Sequence, residues 1–203
     1  MKYARIIGFA IIGILIFAAL YTWRNAGNNG NGESVTSLVA NIDGATDAPV
    51  QIVEYGDFGC TTCRGWHNAG IKDALQEKYG NQISFEFRHF PVITSQSPKA
   101  AEAGQCAAEQ DKFWEYHDYI YEETAQGALS NADLKQYASA VGINPPQFAE
   151  CLDSGKYSSA VQASLDEARE LGARGTPTFF VNGTQTAFRL DDLSAQIEAE
   201  LAN

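Results

Sequence analysis

Cys60 and Cys63 stand with two residues between them in FGCTTCRGW, residues 58–66. A β-rich apolar run (Val50, Ile52, Val53, Tyr55) ends just before them, and residues at helical spacing (Trp66, Ile71, Ala74, Leu75, Tyr79) begin just after. Such a pair can exchange disulfides, supply half of a zinc site, or act as a small staple. Zinc takes four ligands, usually from two close pairs, and Cys106 and Cys151 form no second C-x-x-C, so no metal is expected. A staple closing so short a loop adds little stability. Exchange remains. If a helix begins at or just after Cys60, its unpaired backbone N–H groups and dipole favour a negative sulfur there, which makes Cys60 the attacking thiolate and Cys63, one turn in, the resolving thiol. Thr61 and Thr62 between them offer only hydroxyl hydrogen bonds. Glu54 is a lone carboxyl in the apolar run, and burial would raise its pKa and suit it to proton transfer. His67, a turn past Cys63, reads as an ordinary helix-surface residue.

The elements around these residues follow from their patterns. Residues 50–55, bounded by Pro49 and Gly56, suit a strand covered on both faces. A helix runs from Cys63 to the stop signal Gly80-Asn81, and Ile83, Phe85 and Phe87 alternate with polar residues in a second strand ended by Pro91. Strand, helix, strand with a crossover of this length predicts a parallel, right-handed unit. A helical stretch of about 75 residues follows: one pattern from Ser97-Pro98 to about Glu123, one opened by Ser130 with Asp133, one opened by Asn144-Pro145, and one carrying Val161, Leu165 and Ala168. The chain then returns to strand at Thr178–Val181, turns at Asn182-Gly183, continues through 184–188, and closes with an amphipathic helix carrying Leu193, Ile197 and Leu201.

Ile6 to Trp23 carries no charged side chain, and as a helix these residues would be about 27 Å long, close to a bilayer's hydrocarbon core. Residues 1–24 are therefore expected to be an uncleaved transmembrane anchor with an inside amino terminus, and 25–46, opening on NAGNNGNGE, a flexible tether. Residues 47–203 are the size of one domain. The first 24 residues hold three basic and no acidic side chains, which leaves 11 basic and 25 acidic after them, a net −14. That balance excludes nucleic acid as an expected partner, because phosphate binding needs clustered Lys and Arg. Four cysteines in an exported region favour disulfides. No cofactor is expected, for no glycine-rich phosphate loop or ligand cluster appears.

APVQIVEYGDFGCTTC (48–63), FWEYHDYIY (113–121) and GTPTFFVNG (175–183), in that order and spacing, resemble the exported DsbA-like thiol-disulfide oxidoreductases. The resemblance spans about residues 47–202. It implies an α/β, thioredoxin-like fold with a helical insertion at about 97–172, here preceded by the transmembrane helix. It implies Cys60 and Cys63 as the redox pair and Glu54 as a buried acid that assists proton transfer. Pro177 matches the family's cis-proline, and Thr176 before it presents backbone groups to a bound extended peptide. Some members of the family carry a second disulfide within the insertion. Cys106 and Cys151, 45 positions apart on helical patterns and flanked by small or apolar residues, are assigned to such a bridge. The expected partners are extended or unfolded exported polypeptides and a membrane or exported redox partner. The expected place is the outer side of the cell membrane. Strong oxidants of the family often carry Cys-Pro-His-Cys; the two threonines here depart from that pattern. The direction of exchange stays open between disulfide formation and reduction or isomerisation. A peptide-binding chaperone module without catalysis is the rival from another class.

Overall fold

The computed structural model describes residues 35–203. The expected anchor at 1–24 and the first part of the tether lie outside the described residues, and among the described residues no helix is long and apolar enough to cross a membrane. The tether's second part is corrected. Val35, Leu38 and Val39 pack on the helical core, and Asn41–Gly44 forms strand β1. Nothing in NIDG announces a strand: it has one apolar residue and a terminal glycine, and only its ladder with β3 makes it one.

The elements then run β2 (Val50–Gly56), α1 (Thr61–Asn68), α2 (Ile71–Tyr79), β3 (Ile83–His89), α3 (Ser97–Ala108), α4 (Phe113–Glu123), α5 (Asn131–Ala140), α6 (Pro145–Ser154), α7 (Ser158–Glu170), β4 (Thr178–Val181), β5 (Thr184–Thr186) and α8 (Leu190–Leu201). The sheet order is β1-β3-β2-β4-β5, with β2 and β3 parallel and the other pairs antiparallel. This is the mixed α/β, thioredoxin-like arrangement that the pattern implies.

Two expected single helices are each two. Gly70, at φ 65°, breaks α1 from α2, because a left-handed residue cannot continue the helix. Asp111, at φ 55°, breaks α3 from α4. Of the caps written in the sequence, the one at Ser97 does not form, since Gln96 precedes that helix without a side-chain cap, and the other two do. Ser130 and Asp133 make a reciprocal capping box, and the Asn144 side chain accepts from the Gln147 N–H.

One sheet face packs Val50, Ile52, Phe85, Phe179 and Val181 against Trp66 and Leu75 of α1 and α2 and Leu193 and Ile197 of α8. The other packs Tyr55 and Phe180 against Leu165 and Ala168 of α7. A third core, within the insertion, runs from Phe58 and Phe87 through Phe113, Tyr116 and Ile120 to Phe148 and Leu152. It joins the insertion to the strand ends that carry the cysteine turn. Gly56 closes β2 where the Phe87 ring crosses it, and a Cβ there would lie 2.6 Å from the ring's Cζ. Gly56→Ala is expected to destabilise the fold by about 1–3 kcal/mol, since a fully buried ring must shift. Equilibrium denaturation of the variant checks this.

Candidate active site

The site is built where β2 ends. The turn Asp57-Phe58-Gly59 leads into α1, with Cys60 as its N-cap in extended backbone (φ −85°, ψ 122°). Asp57 holds the turn: its Oδ1 accepts from Gly59 N at 2.7 Å, and its Oδ2 accepts from Val92 N and Ile93 N, each at 2.8 Å. The insertion braces the same turn. Tyr121 Oη donates to the Asp57 carbonyl at 3.1 Å and Gln126 to the Gly59 carbonyl at 2.8 Å. Arg64 on α1 donates to the Tyr121 and Thr124 carbonyls at the end of α4. The cysteine helix is thus pinned to strand ends on one side and to the insertion on the other.

Cys60 Sγ accepts from Cys63 N at 3.4 Å and lies 3.2 Å from the Thr176 carbonyl oxygen. The Thr176–Pro177 bond is cis, and the Thr176 carbonyl sets the segment before β4 against the sulfur. Cys60 is 4% exposed, and Cys63 is fully buried behind it. The Cys60 pKa falls to about 5. A hydrogen bond from the Cys63 thiol lowers it most, with the backbone N–H groups of Cys63 and Thr62 adding, against an opposing desolvation. The Thr176 carbonyl can only accept, so that contact belongs to the protonated thiol; the donors win once the proton leaves. Burial drives Cys63 the other way, far above the ordinary thiol value, with the Cys60 hydrogen bond and the Glu54 charge adding to it. One sulfur is poised to attack and the other holds its proton.

Glu54 lies on the sheet face beneath α1, paired in register with Phe87 and Phe179 and 7% exposed. Burial raises its pKa to about 8, Lys72 opposing and a charged Cys60 adding to the rise. Lys72 itself pairs with Asp43 of β1 and lies 3.8 Å over the Trp114 ring. A carboxyl that titrates near neutral pH beside a buried thiol can take and return the Cys63 proton. Glu54→Gln is expected to keep the fold, slow exchange, and remove the step near pH 8 from its pH–rate profile. The sign for stability is also fixed. A carboxyl whose folded pKa lies above its unfolded one costs stability as pH rises from about 4.5 to about 8, so the Gln variant gains relative to the parent across that window. Denaturation at pH 5 and pH 8.5 checks this.

Cys106 of α3 and Cys151 of α6 are bonded, their Cα atoms 5.8 Å apart, and bury their bridge inside the insertion. Cys60 and Cys63 are free thiols. Cys60, Cys63, Glu54, Thr176 and Pro177 therefore come together, and the second pair stands apart. His67 departs from the surface reading. Its side chain is 14% exposed, its ring lies 5.2 Å from His117 and 5.5 Å from Tyr121, and its Nε2 is 3.0 Å from Glu122 Oε1. The residues that sequence reasoning missed are Asp57, Arg64, Tyr121 and Gln126. Asp57, two residues before Gly59, carries the one local signal, a short side chain able to cap its own turn.

A protein-family model described as thioredoxin matches residues 36–199. "Probable disulfide bond formation protein D" of Bacillus cereus is 30% identical, over 94% of this chain and 90% of its own. The crystal structure of oxidised BdbD from Bacillus subtilis superposes with a TM-score of 0.74 at 27% identity, over 84% of this chain and 99% of that one. "Na(+)/H(+) antiporter NhaA 1" of Salinispora arenicola is 31% identical over 95% of this chain. This chain spans only 33%, 28% and 22% of three such antiporters. With the family model covering both the cysteine turn and the cis-proline segment, the chain belongs to the thioredoxin family, as a DsbA-like member.

Proposed function

We propose that this chain is an extracytoplasmic thiol-disulfide oxidoreductase that forms disulfides in exported proteins through Cys60 and Cys63. The observation that carries the reading is the asymmetry of the pair: Cys60 at a helix start, its pKa held near 5 by converging donors, against a buried Cys63 that stays protonated. The oxidised pair accepts a substrate thiolate: the substrate sulfur bonds Cys60, and the Cys60–Cys63 bond breaks. A second substrate thiolate then displaces Cys60, leaving an oxidised substrate and a reduced pair. Stabilising the Cys60 thiolate stabilises the reduced enzyme, which makes the disulfide the stronger oxidant. Thr176, beside the Cys60 sulfur, is the natural place for an extended polypeptide to lay its backbone. Relatives named as disulfide bond formation proteins support the direction, and relatives named as antiporters, which contain a stretch similar to nearly all of this chain, support a position beside a membrane. The extended, unfolded exported polypeptide is the substrate, a membrane or exported partner reoxidises the pair, and residues 1–24 anchor the chain with its catalytic domain outside.

Equilibration with glutathione tests the direction. A potential at or above about −200 mV supports disulfide formation; one near about −270 mV makes the chain a reductase.

A further inference from the structure

We propose that His67 of α1 and His117, Asp118 and Glu122 of α4 form a binding site for a divalent transition metal of the zinc class, distinct from the cysteine pair and clamping α1 to the insertion. The donors already converge. His67 Nε2 lies 3.0 Å from Glu122 Oε1 and 3.9 Å from Asp118 Oδ1, and Asp118 Oδ1 lies 2.8 Å from His117 Nδ1. One donor atom from each of His67, His117 and Asp118 falls within 4.8 Å of the other two. Four ligands sharing a zinc ion at about 2.0–2.2 Å stand roughly 3.3–3.5 Å apart, so small side-chain rotations on two fixed helices suffice. Two imidazoles with two carboxylates select zinc and its neighbours over calcium or magnesium, which prefer all-oxygen sets.

A second observation stands apart from the cluster's composition. His117 is 3% exposed, and its Nε2 has no hydrogen-bond partner, whereas Nδ1 is engaged by Asp118. Nδ1 is the nitrogen turned toward the other donors, so it is the atom that would ligate, its proton giving way to the ion, while the unpaired Nε2 lies on the other side of the ring. The site also has a way in: Glu122 is exposed and Asp118 half-buried, with the buried His117 behind them. The two carboxylates balance a dication. Lys72 is the nearby cation that opposes it, and its charge is met by Asp43 and by the face of Trp114.

The test uses the full chain with both cysteine pairs oxidised, so that no thiolate competes for metal. Zn²⁺ is titrated calorimetrically, and Co²⁺ is added separately to read coordination from its visible absorption. The expected result is one ion per chain, a rise in Tm with Zn²⁺, and a nitrogen/oxygen four-coordinate Co²⁺ spectrum. His67→Asn, Asp118→Asn and Glu122→Gln should each weaken binding by about tenfold or more and abolish the Tm shift. Glu122 lies toward solvent and Asp118 and His67 are only part-buried, so their variants decide the matter even if the buried His117→Gln fails to fold. Binding no tighter than about millimolar, or affinity within about twofold of the parent in both His67→Asn and Asp118→Asn, would show a hydrogen-bonded cluster only and overturn the site. Neither result bears on the exchange chemistry of Cys60 and Cys63.

Discussion

Cys60→Ser is expected to reduce disulfide exchange to the uncatalysed background, while Cys63→Ser, which cannot form the active-site disulfide, lets the Cys60 thiolate attack a disulfide-bonded substrate and stops at the mixed disulfide. The donors that lower the Cys60 pKa act on that sulfur alone, and a serine hydroxyl in the same place stays protonated at any pH the protein survives. With Cys63 absent, a mixed disulfide between Cys60 and a substrate has no internal thiol to resolve it and accumulates. The pH dependence follows from the pKa values: the reactive fraction of Cys60 in the reduced enzyme should be nearly full at pH 7 and fall away below about pH 5. In the reduced protein this depressed pKa contributes stability that is present above the unfolded thiol's value and is lost as pH falls through about 5. Alkylation rates measured from pH 4 to 8, with mass spectrometry of trapped adducts, check both statements. Adducts on Cys63 rather than Cys60 would reverse the assignment.

The second large effect is on stability. The Cys106→Ala, Cys151→Ala double variant is expected to retain exchange activity and lose about 4 kcal/mol, the chain-entropy value for a loop of 45 residues, or on the order of 10 °C in Tm. The bridge ties α3 to α6 in the core that also holds Phe113, Tyr116 and Phe148. Mild reductant should open Cys60–Cys63 first, since the stabilised Cys60 thiolate favours the reduced form of that pair. Peptide mapping of the non-reduced protein, with melting curves of parent and double variant, reads the pairing and the loss together. Cys106 or Cys151 found free, or joined to the active pair, would withdraw the assignment.

What the sequence made legible was whatever its local signals encode. Ser130 with Asp133, Asn144 with Pro145, and Asn182-Gly183 each carry their own turn chemistry and stand where expected. Glu54 could be read as buried because its neighbours on both sides are apolar. What stayed hidden depends on distant partners. The breaks at Gly70 and Asp111 lie inside apolar periodicities that run straight through them. Strand β1 exists because β3 offers it a ladder, with Asn41 opposite Phe87. His67 looked like a surface residue because Glu122, which it meets, lies 55 positions away on α4. Tyr121 and Gln126 brace the cysteine turn from the insertion by the same kind of long-range contact.

The short outer strands, β1 with four residues and β5 with three, bear on the company this protein would keep. A catalyst of unfolded chains works among polypeptides whose backbones seek hydrogen-bonding partners, and a long exposed sheet margin would invite them to add strands and aggregate. Here the long strands β2 and β3 are interior, and each margin is a brief stub. On one side Asp43 is ion-paired to Lys72, and on the other stands the polar run Thr184-Gln185-Thr186. An unfolded chain meets only these short margins, and neither is long enough to serve as a template on which it would stay.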